Sequence, residues 1–398
     1  MIARFDLTTP TYRLRTRGIA RRVSPARWDG AAVADAIDTA LSAAASDGCC
    51  GGKPIVVGLI PFDSATQAVF CVPADVTWET NASTPFAPFH DGARAGHRGA
   101  EPMAVRGGDS PAYRAAVAEA LKRIRAGTLD KVVLARRVVV EAAGPIDCDS
   151  VYARLCVQNR NAYVYRADLP GDPGQPPSVV LGASPELVLG SHRGTVRSLP
   201  LAGSAPRAAD AVADHEAGQA LMRSKKDLSE HGLVVQAVGA AFRRFADAVE
   251  TPAAPQLVQT PVIWHLGTPV TGMLRQGVSP MELVYALHPT PAVGGWPAAA
   301  ARKAIADLED FDRGFYAGLI GWMDGDGNGE WVLVLRGGIV SGRVATVYAG
   351  AGIVANSDPD KEHAETATKL RTFISALGMG AWEGSHDRTN DDRLSRAV

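Results

Sequence analysis

The run KVVLARRVVVE at residues 131–141 constrains the chain most. Its valines and leucine suit a strand, yet it opens on a charged residue, Lys131, directly after Asp130. A helix signal precedes it. In SPAYRAAVAEALKRIRAG, Pro111 suits a first turn, Val117, Leu121 and Ile124 share one face, and Gly127 suits the end. Similar signals recur along the chain. Residues 31–47 read as an alanine-rich helix closed by Gly48, and 55–62 and 68–72 as strands. VVLGASPELVLG and TVRSLPLAG are shorter strand candidates, and 210–248 reads as a long helix or a broken pair. Strands follow near 331–336 and 344–349, then a last helix over about 359–377. The mixture predicts a folded α/β protein.

Composition agrees. A chain of 398 residues that is 46% hydrophobic can bury a large core, which excludes a disordered protein. A net charge of -1 leaves no basic excess to attract nucleic acid or an anionic membrane. The six arginines from Arg13 to Arg27 read as surface residues of an edge strand or loop. Five cysteines, an odd number with Cys49 and Cys50 adjacent and no CxxC, argue against a disulfide framework or structural zinc. The longest apolar stretch, 54–62, is far short of the ~20 residues of a membrane helix. These features predict a soluble cytoplasmic protein. Residues 79–110 read as a long connection, and 384–398 as a disordered tail.

Several groups could carry chemistry. Asp227 and Glu230 are three apart, as are Glu362 and Glu365, with Lys369 four beyond. Such spacing puts side chains on one helix face, and opposed carboxylates on two helices suit Mg²⁺. The alternative is a solvated face with i,i+4 pairs such as Glu365–Lys369. Gly350, Gly352 and Ala355 match GxGxxA after a strand, but Asn356-Ser357-Asp358-Pro359 follows, and fewer than 50 residues remain for a dinucleotide fold. Close backbone approach to a carboxylate ligand fits better. Lys131 and Arg336 are charged residues in strand-like runs, and His288 lies in a Pro/Gly turn segment. These features alone name no reaction.

Read together, TLDKVVLARR, GASPELVLG, SLPLAGSAPR, SKKDLSEHGLVVQAV, WHLGTPVTG, LHPTPAVGGWP, LEDFDRGFYAGLIGW, GNGEWVLVLRGG and VYAGAGIVANSDPDKEHAETATKL resemble, in order, the chorismate-utilising enzymes. That family comprises anthranilate, aminodeoxychorismate, salicylate and isochorismate synthases. The resemblance covers 128–377, and the N-terminal third carries weak signal. LHPTPA and LIGWMDGDGNGEWV resemble the isochorismate synthase branch. The implied fold is α/β of α+β type, a chorismate-binding fold with central antiparallel β-sheets flanked by helices. It would form one enzyme domain over 1–383.

The implied activity is isomerisation of chorismate by water addition at C2 and loss of the C4 hydroxyl. Lys131 matches the water-activating lysine and Glu186 the general acid. Glu230, Glu362 and Glu365 match the Mg²⁺ site, with Asp227 as an outer partner. Tyr316, Arg336, Gly350 and Gly352 match the pocket for the enolpyruvyl carboxylate, with Lys369 nearby; His265 and Ser204 match its walls. Ala292 stands where amine-adding and salicylate-forming members usually have Thr, while Val293 and Gly294 depart from the commoner Leu and Ser. A salicylate synthase, an amine-adding subunit and an inactive chorismate-binding protein remain alternatives. Lys131 weighs against the anthranilate branch, Ala292 less decisively against salicylate formation, and the retained acids against an inactive protein. The implied partner is the small molecule chorismate, bound by a monomer. Whether the product would feed menaquinone, a siderophore or salicylate made by a separate lyase stays open.

Overall fold

The computed structural model describes residues 1–48, 52–63, 67–80, 103–171, 176–379 and 382. The expected tail at 384–398, the Cys49–Cys50 pair and residues 81–102 of the expected connection lie outside them. Among the described residues Cys71, Cys148 and Cys156 are free thiols, and no helix is long and apolar enough to cross a membrane.

Three antiparallel sheets organise the described chain. The largest runs, in spatial order, through Gly295–Trp296, Lys131–Ala142, Val344–Ile353, Gly337–Ser341, Ser178–Ser184, Tyr163–Leu169, Arg4–Thr8, Tyr12–Arg17 and Asp75–Thr80. The second runs through Ala246–Glu250, Val270–Leu274, Thr195–Leu199, Leu187–His192, Gly329–Leu333, Leu319–Asp324, Ile55–Ile60, Val69–Val72 and Arg21–Arg22. A three-stranded sheet joins Leu201–Pro206, Ile263–Gly267 and Gln256–Gln259. The two large sheets share a core in which Phe5, Leu7, Leu14 and Tyr165 of one meet Ile55, Leu59, Ile320 and Val332 of the other. Helices cover the outer faces: Gly30–Asp47 and Pro280–Leu287 on the second sheet, Cys148–Gln158 and Pro359–Ala376 on the first. The architecture is the α+β arrangement of antiparallel sheets flanked by helices.

Local signals explain the helix ends. Gly48 closes the first helix at φ 61°, a left-handed value that favours glycine. Ser110 caps Pro111–Arg125 by accepting from the Tyr113 N–H at 3.2 Å. The stretch 210–248 is a broken pair, Ala211–Arg223 and Lys225–Phe245, because Ser224 is extended and its hydroxyl caps the second helix through the Asp227 N–H. Three helices were not expected from sequence: Cys148–Gln158, Pro280–Leu287 and Ala298–Leu308, although Asp147 caps the first and Ser279 with Glu282 forms a capping box on the second.

Two expectations need correction. The N-terminal arginines are not simply surface residues. Arg13 is buried and pairs with Glu79 at 3.3 Å, and Arg17 reaches the buried Asp6 at 2.8 Å. Carboxylates on the two neighbouring strands neutralise them. Arg336 does not belong to a strand either: the strand Gly329–Leu333 ends three residues earlier, and Arg336 has φ 52°. The chain there must leave one sheet and enter the other at Gly337, and the turn puts Arg336 in the left-handed region.

The Gly295–Trp296 pair seats the start of the Lys131 strand, with Gly295 opposite Val132 and Trp296 opposite Lys131. Gly295 has φ 138°, and a Cβ there would lie 2.3 Å from the Lys131 carbonyl oxygen and 2.8 Å from Val132 Cα. Both obstacles are backbone, so nothing can yield cheaply. Gly295→Ala is therefore expected to cost at least ~2 kcal/mol of stability. A lowered urea midpoint at unchanged slope would read this out; an unchanged midpoint would contradict the packing described.

Candidate active site

The three sheets meet around a cleft enclosing about 770 Å³, part of it open to solvent. Its walls come from chain segments that pass from sheet to sheet. Pro185-Glu186 joins Ser184 of the first sheet to Leu187 of the second, and Leu335-Arg336 returns from the second to the first. The third sheet supplies Ser204 and His265, which face each other across adjacent strands. A bulge lies between Ala202 and Ser204, where Gly203 has φ 78°. The helices Lys225–Phe245 and Pro359–Ala376 bring acids from above, and the strand Val344–Ile353 brings Gly350 and Gly352.

The cleft is lined by Glu186, Ser204, Asp227, Glu230, His265, Ala292, Tyr316, Arg336, Gly350, Gly352, Glu365 and Lys369. Twelve of the fourteen residues singled out from sequence thus share one cavity. Lys131 and Glu362 stand one layer behind its surface. Lys131 is fully buried and reaches Glu230 Oε1 at 2.9 Å, but the contact is not aligned as a hydrogen bond, so the ammonium keeps donor capacity. The ion pair passes directly over Gly352. A Cβ at that position would come within 2.3 Å of Glu230 Oε1 and 3.2 Å of Lys131 Cε. Glycine is the residue that lets this pair form.

Glu186 is 4% exposed. Burial pushes its carboxyl up to about 8, although the Leu201 N–H and the positive fields of Lys131, Arg336 and Lys369 oppose the shift. At neutral pH Glu186 is thus mainly a proton donor. His265 is held well below its ordinary value, first by burial and then by Arg336 and Lys369. It is neutral, and its Nε2 accepts from the Arg336 guanidinium at 2.9 Å, because arginine can only donate. Burial brings Arg336 down to about 10, so it remains a cation. Leu335, its neighbour, is fixed by the Tyr165 hydroxyl, which donates to the Leu335 carbonyl at 2.9 Å. Tyr316 stacks on Tyr348 at 5.1 Å, and burial raises its phenol, which stays protonated.

Four acids were expected to form a cation site. Burial raises Asp227, with Glu230 and Glu365 adding to the shift, and burial plus Glu365 raises Glu362. Burial would raise Glu365 too, but Lys369, Lys226 and Ser204 hold it below its ordinary value. Like charges therefore crowd here, and their hard oxygen donors fit Mg²⁺ chemically. Each glutamate faces a lysine: Glu230–Lys131 at 2.9 Å, Glu362–Lys226 at 3.1 Å and Glu365–Lys369 at 2.6 Å. Among the described residues no three His, Cys, Asp or Glu side chains stand as a metal-holding group. The Glu365–Lys369 pair is the i,i+4 contact that the spacing allowed, and Lys369 also donates to the Gly350 carbonyl at 2.8 Å.

Sequence reasoning missed Lys226 and Tyr348, which also line the cleft. It also missed the pair behind the cleft, Glu309 and Arg313. Arg313 donates to the Val293 carbonyl at 2.9 Å and the Val133 carbonyl at 2.7 Å, while Glu309 accepts from the Ala135 N–H at 2.8 Å. This clamp fastens the Ala292 wall to the Lys131 strand. Its one signal was the i,i+4 spacing in LEDFDR.

Comparison with known proteins agrees with this fold. The family model described as "Chorismate binding enzyme" matches residues 94–378. The chain is 38% identical to isochorismate synthase DhbC of Bacillus subtilis over 382 residues, 94% of each protein. It is 41% identical to a protein named putative isochorismate synthase MenF of Mycobacterium tuberculosis, covering 83% of this chain and 88% of the other. Among solved structures, a putative 2,3-dihydroxybenzoate-specific isochorismate synthase, DhbC of Bacillus anthracis, superposes with a TM-score of 0.86 at 34% identity, covering 94% of this chain and 96% of that one. With a family match across most of its length and relatives that align nearly end to end, the chain belongs to the chorismate binding enzymes.

Proposed function

We propose that the protein is an isochorismate synthase, converting chorismate to isochorismate by adding a hydroxyl at C2 and expelling the C4 hydroxyl. The observation that carries the reading is Glu186, a buried acid held protonated near neutral pH in a cleft whose walls include the cations Arg336 and Lys369, in a chain matched over 94% of its length by an isochorismate synthase. A dicarboxylate substrate suits those walls. Arg336, oriented by His265, and the Tyr316 hydroxyl offer donors to one carboxylate.

Water attack requires a base. Lys131 is the candidate: it is fully buried at the start of its strand, 2.9 Å from Glu230, and its amine must be free of the extra proton when water attacks. The departing hydroxide requires a proton, which Glu186 supplies. One proton moves from water to Lys131 and one from Glu186 to the leaving group, so the reverse reaction uses the same two groups with roles exchanged. Mg²⁺ held by Glu230, Glu362 and Glu365, with Asp227 as an outer partner, would neutralise the second carboxylate. Ala292 leaves the ring wall without the hydroxyl that a threonine would bring, which supports an outcome that stops at isochorismate.

Four outcomes follow. Lys131→Ala should lower kcat by ~10²–10⁴ while chorismate still binds, read by single-turnover kinetics and binding calorimetry; near-normal turnover would move the base elsewhere. In the native enzyme kcat/KM should fall as pH rises through about 8, where Glu186 loses its proton. Glu186→Gln should be inactive by a similar factor of ~10²–10⁴. A flat alkaline profile would remove Glu186 as the acid. Chromatography of the equilibrated reaction, with a coupled pyruvate assay, should show chorismate and isochorismate with little pyruvate; stoichiometric pyruvate and salicylate would replace the assignment by salicylate synthase.

A further inference from the structure

Three lysines neutralise the acids above the cleft, and two have other work. Lys131 is the proposed base, and Lys369 also holds the Gly350 carbonyl. Lys226 has neither role. It lines the cleft, and its ammonium donates to Glu362 Oε1 at 3.1 Å. Its charge also acts on Glu230 and Glu365, so it faces the same three carboxylates assigned to Mg²⁺. The Lys226 side chain is one-third exposed, whereas Glu362 is 3% exposed. The lysine can therefore swing toward solvent while the carboxylate stays in place. Lys226 also follows directly on the break at Ser224–Lys225, so it sits in the first turn of its helix, where an ammonium opposes the helix dipole. The cation is held there by carboxylates: Glu362, which accepts its hydrogen bond, and Glu230, four residues on in the same helix.

We infer that Lys226 is a built-in counter-cation: it occupies the carboxylate cluster when no divalent ion is present, and Mg²⁺ must displace it to bind. The inference rests on the Mg²⁺ reading above. It implies that the enzyme holds its buried acids together without metal at the expense of metal affinity. Removing the Lys226 charge should tighten Mg²⁺ binding and weaken the metal-free fold. Keeping the charge should change neither.

The test uses the full chain, without chorismate, at fixed pH and ionic strength. Mg²⁺ alone is titrated into the native protein, Lys226→Met and Lys226→Arg by calorimetry, and thermal melting is followed in EDTA and in excess Mg²⁺. Lys226→Met should bind Mg²⁺ roughly fivefold to tenfold more tightly than the native protein, as expected when one unit charge leaves a partly screened cluster. It should also melt lower in EDTA and gain more from Mg²⁺. Lys226→Arg should bind like the native protein. Equal or weaker Mg²⁺ binding by Lys226→Met overturns the inference and leaves the Mg²⁺ reading intact. No binding by any of the three overturns both. If Lys226→Met does not fold, Lys226→Gln takes its place with the same criteria.

Discussion

The contact on which the site depends is the Lys131–Glu230 ion pair crossing Gly352. It joins the first residue of a long interior strand to a helix that packs on a different sheet, and it does so through a strand lying between. A buried charge pair is costly to dehydrate and stabilises only when its geometry is fixed. Three features supply that geometry. The missing side chain at Gly352 opens the path, the Gly295–Trp296 bridge seats the lysine, and the Glu309–Arg313 clamp anchors the strand that bears it. Loss of any of these leaves an ammonium inside the protein facing a partner at the wrong distance.

The same principle extends across the cleft. Its functional groups come in pairs that hold one another: His265 takes a hydrogen bond from Arg336, Lys369 holds Glu365, Ser204 supports Glu365, and Tyr165 fixes the carbonyl just before Arg336. Glu186 is the exception. No side-chain cation lies in direct hydrogen-bonded contact with it among the described residues, so burial dominates and the carboxyl stays neutral. Carboxyls of one chemical type thus behave oppositely within one cavity. Glu365 is held ionised by its lysine, and Glu186 is held protonated by its surroundings.

Much of this was legible in the sequence. Helix ends at Gly48 and Ser110 follow from residues whose conformational preferences are strong and local, and the long Lys131 strand follows from its valines. The gathering of twelve chosen residues in one cleft followed from motifs whose order matched a family, not from periodicity. What was not legible depended on the third dimension. Arg336 looks like a strand residue because its neighbours are apolar, but they are apolar because the crossing between sheets is buried. Arg13 looks like surface because its charge is visible and its partner, Glu79, lies 66 residues away. Lys226 is one of two adjacent lysines in SKKDL, and only the fold distinguishes the one that turns inward.

The two crossings between the large sheets carry a further meaning. Glu186 rides on one and Arg336 on the other, so the two side chains are separated by the offset between two layers, not by any single element. The interlayer core of Phe5, Leu59, Tyr165 and Val332 sets that offset. The sandwich thereby works as a caliper, with its jaws at the cleft and its adjusting screw in residues that never approach the substrate. A repacking there that leaves the fold intact would still change the gap between the jaws, so hydrophobic residues deep between the sheets belong to the machinery of recognition as much as those that line the cavity.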